Sequence, residues 1–441
     1  MLKFLPSVFP PQSFKRLQII SLIYAQALVL TSVSSAVVTV GVEKLVESRY
    51  DCLRGKSSVG IIANPTSVLP ATMEHIVDVM ARDKELVNIS AVFGPEHGFR
   101  GAHEDGQGQK TYIDPRTNLT VYDTFGVSGQ RLVNLVNNSG VDAIVFDIQD
   151  VGSRFYTYVW TMVDMMVAAA SLSSTNSPFT FVVLDRPNPI GGIAVRGPVM
   201  QTGFTSFVGR MPGVPIVHGM TVGELARFAN SEYVPLQTHG KHVELTVIKM
   251  SGWLRSMLFA ETGLPWILPS PNMPTPSTAL VYPGMCLLEA STLSEGRGTT
   301  RPFQVVGAPY LDWRFAEALQ AAAKTMLGVL IREVYFTPTF SKFEGNLSAG
   351  VDIIVRNATA LNPLRVGLTV LTMAKRMAPS QFGWRAPGVH GGRYDVDLLT
   401  GGNMTRLAVD RGMSVDDILS AYEQDLAGSG FEERRRKCLL Y

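Results

Sequence analysis

With 441 residues the chain is long enough for two domains, and 46% hydrophobic content against 17% charged residues excludes a disordered protein. Thirty-nine basic against 37 acidic residues leave a net charge of +2, so no nucleic-acid footprint is visible. Three widely spaced cysteines, Cys52, Cys286 and Cys438, cannot all pair with one another and give neither a disulfide framework nor a metal pattern.

At the amino terminus Lys15-Arg16 precedes an uncharged stretch, residues 17 to 42, which begins with the apolar run Leu17 to Leu30. Ser34-Ser35-Ala36 supplies the small residues that a signal peptidase accepts, so residues 1–36 read as a signal peptide. The stretch is also long enough to span a bilayer, which makes an uncut signal anchor the competing reading and the one route to membrane attachment. A secretory destination, extracellular or lysosome-like, is expected. Six acceptor sequons, at Asn88, Asn118, Asn137, Asn346, Asn357 and Asn403, permit glycosylation on a eukaryotic route. Asn88 lies at a predicted strand, which argues for burial there.

Beyond the leader, short apolar or β-branched runs end repeatedly in polar loops. Val59 to Ala63 leads into Asn64-Pro65-Thr66, and Val87 to Phe93 into Gly94-Pro95-Glu96-His97-Gly98-Phe99-Arg100-Gly101. Ala143 to Phe146 leads into Asp147-Ile148-Gln149-Asp150, and Phe181 to Leu184 into Asp185-Arg186-Pro187-Asn188-Pro189. Such runs suit strands buried on both faces of a parallel sheet, and the helix-like stretches Thr72 to Lys84 and Tyr158 to Ala170 lie between them. The pattern predicts an α/β fold: a doubly wound, mostly parallel, Rossmann-like sheet over residues 37–305. Ligands of such sheets bind beyond the carboxyl ends of the strands, where all four polar clusters would crowd one rim.

From Phe303 onward the character changes. Trp313 to Leu327 reads helical, Gly350 to Val355 as a strand, Arg393 to Leu398 as an exposed strand by its weak alternation, and Met413 to Leu426 as a helix. Residues 306–441 are therefore expected to form a smaller auxiliary α/β domain that closes over the rim. Arg434-Arg435-Arg436-Lys437 reads as the solvated last turn of a helix. No cofactor is expected. His97, His103, Glu104 and Asp105 lack metal-ligand spacing, Gly296 and Gly298 lack the lysine of a P-loop, and no Gly-x-Gly-x-x-Gly follows the first strand.

Taken in order, these segments resemble the NamZ-type exo-β-N-acetylmuramidases of peptidoglycan turnover. The matching stretches are Gly60 to Thr66, Gly94 to Gly98, Phe146 to Tyr158, Leu184 to Pro189, His218 to Leu225, Pro269 to Pro274, Ser294 to Phe303 and Cys438 to Tyr441. The chain departs from the family pattern at His103-Glu104-Asp105, where members often carry small residues. The resemblance implies an exo-acting glycosidase that removes β-linked N-acetylmuramic acid, or a related N-acetylhexosamine, from glycan ends. The rival reading is a non-catalytic amino-sugar-binding protein on the same scaffold. A nucleotide-dependent enzyme is the third, since the sheet alone would suit one.

Glycosidic cleavage needs a proton donor at the leaving oxygen and stabilisation of an oxocarbenium-like centre, usually from two carboxyl groups. Glu96 is the expected acid, and His97 either shares its proton or braces the loop. Asp147 and Asp150 are the first choices for the second carboxylate, whereas Asp185, followed by two prolines, reads as structural. A third route needs one protein acid only, because a 2-acetamido oxygen can attack its own anomeric carbon. The lactyl carboxylate of muramic acid suits a guanidinium, and Arg154, beside Tyr156 and Tyr158, is the first choice for it. Asn64, Arg100, Gln149, Tyr156, His218, Asn272 and Arg297 complete the expected substrate contacts. Thr221 and Glu224 have the spacing of a helix capping box, which assigns Glu224 to structure.

Overall fold

The computed structural model describes residues 37–103, 110–174, 178–385, 387 and 392–441. The leader, residues 1–36, and the acids Glu104 and Asp105 lie outside the described residues. Twelve strands are described: β1 Val59–Ala63, β2 Ile89–Gly94, β3 Tyr112–Ile113, β4 Thr120–Asp123, β5 Ala143–Asp147, β6 Thr180–Leu184, β7 Arg196–Val199, β8 Pro215–Val217, β9 Glu244–Ile248, β10 Val305–Ala308, β11 Val329–Phe336 and β12 Ser348–Val355.

Seven of them form one sheet in the order β3-β4-β2-β1-β5-β6-β9. It is parallel throughout except for the short edge strand β3, which runs antiparallel to β4. The chain starts at β1, winds outward through β2 and β4, then returns to β5 and winds the other way. That reversal gives the doubly wound topology expected from the alternating strand and helix signals. Pairing of Ala63 with Asp147 and of Gly94 with Asp123 brings the carboxyl ends of four strands to one rim.

The apolar runs are explained by burial on both faces. Because side chains alternate along a strand, Ile61, Val145 and Val182 enter one core while Ile62, Ile144, Phe146, Phe181 and Val183 enter the other. Helices Gly41–Glu47 and Ile76–Arg82 cover the first face with Val42, Leu45, Val77 and Met80. The second face is covered by helices Gly129–Ser139, Tyr158–Leu172 and Val222–Glu232. Among the described residues no helix is long and apolar enough to cross a membrane.

The C-terminal half contains an antiparallel sheet ordered β10-β12-β11 with helices Trp313–Ala322 and Pro363–Met377. Its Val306, Phe315, Val351 and Leu371 belong to the same core as Phe146 and Phe181, so residues 38–441 make one compact unit. One close approach fixes how this half meets the rim. Helices Pro276–Met285 and Pro363–Met377 cross at Gly284 and Gly367, where a Cβ on Gly284 would lie 1.7 Å from the Pro363 carbonyl oxygen. No side chain fits there, so the first helix is seated directly against the second. Its exit is a 3-10 turn, Cys286–Ala290, that carries Glu289.

Three expectations need correction. Arg393 to Leu398 does not form a strand: Asp395–Thr400 is a short helix burying Val396, Leu398 and Leu399. Acids in its first turn complement the helix dipole, and Gly401 in the left-handed region, φ 78°, ends it. The basic cluster does end a helix, Phe431–Arg436, but Arg435 is buried and donates to the carbonyls of Gly192 and Gly219 at 2.6 and 2.8 Å. Asn88 is exposed, just ahead of β2.

Candidate active site

In a doubly wound sheet the ligand crevice opens where the winding reverses, here between the carboxyl ends of β1 and β5. This chain fills that crevice with its own side chains. Arg186, from the loop after β6, donates to both carboxylate oxygens of Asp147 at 2.6 and 2.8 Å and to the Val68 carbonyl at 3.1 Å. Ser67 donates to the Asp147 backbone oxygen, and Asn64 Oδ1 accepts from the Thr66 amide and hydroxyl at 2.9 and 2.6 Å. Gln149 donates to the carbonyls of Asp150 and Pro187 at 2.7 and 2.8 Å. What remains beside Thr66, Gln149 and Arg186 is a crevice of about 20 Å³.

Several expected site residues are therefore reassigned. Asp147 is fully buried and spent on Arg186, and Asn64 and Gln149 hold loops together. Asp150 is buried, caps the Gly152 amide at 2.7 Å and is pushed up to about 7 by burial. It lines neither of the two cavities that Glu96 lines. Arg154 is wholly buried and donates to the carbonyls of Pro198, Val214 and Leu399 at 3.2, 2.7 and 2.6 Å, so its guanidinium cannot meet a ligand. Arg100 forms ion pairs with Asp78 and Asp114 at 2.8 and 2.9 Å, away from these cavities. His218 is buried, with Nδ1 accepting from the Met220 amide at 3.1 Å, and it too lines neither cavity. Asp185 caps the Val222–Glu232 helix through the Gly223 amide and the Thr221 hydroxyl, both at 2.8 Å. Thr221 and Glu224 form the expected capping box.

The open space lies one strand over, beyond β2. After Gly94 the chain turns, and His97 adopts a left-handed φ of 67°. That turn breaks the alternation of an extended segment, so that the sequence neighbours Glu96 and His97 line the same chamber. His97 Nδ1 is 3.0 Å from the His103 carbonyl oxygen, a contact that ties the loop to its own return. Thr157, at the start of the Tyr158–Leu172 helix, donates to Glu96 Oε2 at 2.6 Å.

Two connected spaces meet at Glu96. One is a chamber of about 70 Å³ whose wall includes Tyr156, Ser270, Asn272 and Phe303. The other is an open cleft of about 900 Å³, walled by Phe125, Trp160 and Phe207 and edged by Arg210, Arg385 and Arg393. Arg393 stacks on the Phe204 ring, its guanidinium carbon 4.2 Å from the centroid, and Arg210 is paired with Asp164 at 2.8 Å. Of the residues expected at the site, Glu96, His97, Tyr156, Asn272 and Arg297 line the chamber together. Burial pushes the Tyr156 hydroxyl well above its ordinary value, so it stays a neutral phenol.

Glu289 was not anticipated. It lines the chamber, the cleft and an outer depression beside Lys342, and Arg297 donates to its Oε1 through Nε at 2.9 Å and through Nη2. The signal available was a lone carboxylate in the apolar run Cys286 to Ala290, between two of the matched segments. Glu295, six residues on, is buried against Lys342 at 2.7 Å. Among the described residues no three His, Cys, Asp or Glu side chains cluster as a metal site.

Fold and site thus define an α/β protein whose ligand space is displaced from the usual nucleotide crevice to a carboxylate-lined cleft roofed by its own C-terminal half. The chain belongs to the NamZ family: residues 59–277 match the family's "Exo-beta-N-acetylmuramidase NamZ, N-terminal" region and residues 280–441 its C-terminal region. It is 38% identical over 405 residues to the peptidoglycan beta-N-acetylmuramidase NamZ of Bacillus subtilis (strain 168), covering 92% of this chain and 91% of that one. Two crystal structures of DUF1343 family proteins from Bacteroides fragilis NCTC 9343 superpose with TM-scores of 0.77 and 0.66, at 31% and 30% identity. Each comparison covers 92% of this chain and 99% of the crystallised one.

The filled crevice depends on a neutral imidazole. His75 Nε2 is 2.9 Å from the Asn64 carbonyl oxygen, while Nδ1 accepts from the Val77 amide and caps the Ile76–Arg82 helix. Burial pushes its pKa down to about 4, with Arg100 and Arg186 acting in the same direction and Asp78 opposing them. The unfolded chain takes up that proton near 6.5, so between 6.5 and about 4 it binds more protons than the fold, and stability falls as pH falls. From pH 7 to pH 5 the loss from this group is about 2 kcal/mol. His75→Asn, which keeps a capping acceptor, should flatten the pH dependence of urea unfolding by about that amount; parallel curves for the two proteins would contradict the assignment.

Proposed function

We propose that the protein is an exo-acting glycosidase that removes β-linked N-acetylmuramic acid from the non-reducing ends of peptidoglycan-type fragments. The reading rests on the position of Glu96. This carboxyl is nine-tenths buried at the junction of chamber and cleft and is oriented by Thr157, in a chain matched along nearly its whole length by a peptidoglycan muramidase.

Such a group can supply what the leaving oxygen needs. As the bond from the anomeric carbon to that oxygen breaks, Glu96 transfers its proton to the departing sugar hydroxyl. Water then forms the new bond to the anomeric carbon and returns a proton to Glu96. Phe125 and Phe207 offer apolar faces to the sugar rings, and Arg385 and Arg393 offer guanidinium groups to the lactyl carboxylate or the peptide that extends it. An apolar cleft with a few convergent polar groups is the usual form of a small-ligand site.

The leader, the secretory destination and the sequons belong to this proposal as well. All six sequon asparagines are exposed, and none lines the chamber or the cleft, so glycans on them would leave the site open. Asn357 Oδ1 accepts from the Thr359 and Ala360 amides, a turn that leaves its amide nitrogen outward. Full-length chain made in eukaryotic secretory cells should therefore lose mass on treatment with an N-glycosidase. A secreted product with no such loss would contradict glycosylation, and retention of the chain in cytosol would contradict the route.

Glu96→Gln keeps the shape and removes the proton. Release of N-acetylmuramic acid from an N-acetylmuramic acid-containing disaccharide should fall by about 10²-fold or more while the protein still binds the product sugar. Binding without any turnover in the wild-type protein would instead establish a sugar-binding protein.

A further inference from the structure

The chamber is too small for a pyranose ring, yet its 70 Å³ is several times the roughly 10–15 Å³ that one water requires. It has room for a substituent of a few heavy atoms. Its wall includes Tyr282, Phe303 and Met273, which suit a methyl group, beside polar side chains that cover about as much of it. Among the polar groups is one amide donor: Asn272 is 5% exposed, and its Nδ2 has no hydrogen-bond partner among the described residues. A buried donor left unpaired costs about 1–3 kcal/mol, so it is retained where something else satisfies it. The Asn272 loop is pinned by the Met273 amide bonding the Ser270 carbonyl at 3.0 Å and by Trp266 Nε1 bonding the Met273 carbonyl at 3.1 Å.

The chamber also holds the second carboxylate that the rim aspartates do not provide. Among its lining residues the carboxylates are Glu96 and Glu289. Arg297 donates twice to Glu289 Oε1, whereas Oε2 has the thiol of Cys286 at 3.6 Å as a weak partner. Glu289 therefore presents an accepting oxygen in the space where Asn272 presents a donor. An acetamido group carries one carbonyl acceptor, one N–H donor and one methyl, and the three requirements match.

Resting on the glycosidase reading above, we propose that this chamber is the acetamido subsite, with Asn272 Nδ2 donating to the acetyl carbonyl and Glu289 Oε2 accepting the acetamido N–H. Glu289 is then the second catalytic carboxylate. With its N–H held, the acetamido oxygen attacks the anomeric carbon as the bond to the leaving oxygen breaks and Glu96 protonates that oxygen. The N–H proton passes toward Glu289 as the five-membered oxazoline closes. Water adds to the anomeric carbon, gives a proton to Glu96, and the acetamide reopens as Glu289 returns its proton to nitrogen. The sum is one glycosidic bond and one water consumed and two hydroxyl groups formed.

The test uses full-length protein and 4-nitrophenyl N-acetylmuramides whose acetyl methyl carries zero to three fluorines. Wild-type kcat should fall stepwise with each fluorine, because fluorine weakens the attacking oxygen. Glu289→Gln should lower kcat by about 10²-fold or more at an unchanged thermal midpoint, with a shallower fluorine dependence. Asn272→Ala should weaken binding of free N-acetylmuramic acid about tenfold more than binding of free muramic acid, which lacks the acetyl group, as read by calorimetric Kd. Wild-type rates indifferent to fluorine, a folded Glu289→Gln protein at wild-type kcat, or rescue of Glu289→Ala by azide with formation of a glycosyl azide would each overturn the assignment. A wild-type protein that turns over none of these glycosides would instead remove the glycosidase reading on which it rests.

Discussion

The Asp147–Arg186 ion pair occupies the place where a doubly wound sheet normally receives its ligand. Removing two charges from water is expensive, and the pair is tolerable because the guanidinium also reaches the Val68 carbonyl and both carboxylate oxygens are engaged. Breaking one partner of such a pair typically costs about 3–5 kcal/mol, since the other charge is left buried and alone. With the crevice closed in this way, neither a nucleotide nor a sugar can enter between β1 and β5. The open cleft and chamber lie at the next loop along, after β2.

That displacement explains the role of the C-terminal half. A loop at the side of a rim has an open flank, and here the flank is supplied by the helix Pro276–Met285 and the 3-10 turn that follows it. The glycine crossing at residues 284 and 367 seats that helix, the helix sets the turn, and the turn brings Glu289 to the chamber that Glu96 lines. Arg154 works at a distance to the same end. By collecting carbonyls from residues 198, 214 and 399 it ties the strand-end loops to the C-terminal half without touching a ligand. The terminal Tyr441 does likewise, its hydroxyl donating to Asp185 at 2.7 Å. The buried guanidinium of Arg154 thus serves as a clamp on backbone oxygens.

Much of the sheet was legible because it depends on local signals. Val59 to Ala63 reads as a doubly buried strand from composition alone, and Thr221 with Glu224 announces a helix start at the right residue. Glu96 was legible as a carboxylate in a glycine-bounded loop after a strand. The rest depended on contacts between distant residues. Nothing in the neighbourhood of Arg154 shows that its partners include a carbonyl 245 positions away, so an arginine flanked by tyrosines looked like a ligand group. Asp147 looked available because Arg186, 39 positions on, is invisible to local pattern. Glu289 was hidden by an apolar helix-like run, in which a single carboxylate reads as incidental. His97 lines the same chamber as Glu96 because a left-handed backbone angle undoes the alternation of an extended chain, which local pattern does not announce.

On the proposed function the sugar's reacting bond lies at Glu96, between chamber and cleft, and not at the filled crevice. A crystal structure of the Glu96→Gln protein with an N-acetylmuramic acid-containing disaccharide tests it most directly. The glycosidic oxygen should lie within about 3 Å of residue 96 and the acetamido group inside the chamber. A saccharide bound at the β1–β5 crevice, or with its glycosidic oxygen remote from residue 96, would contradict it.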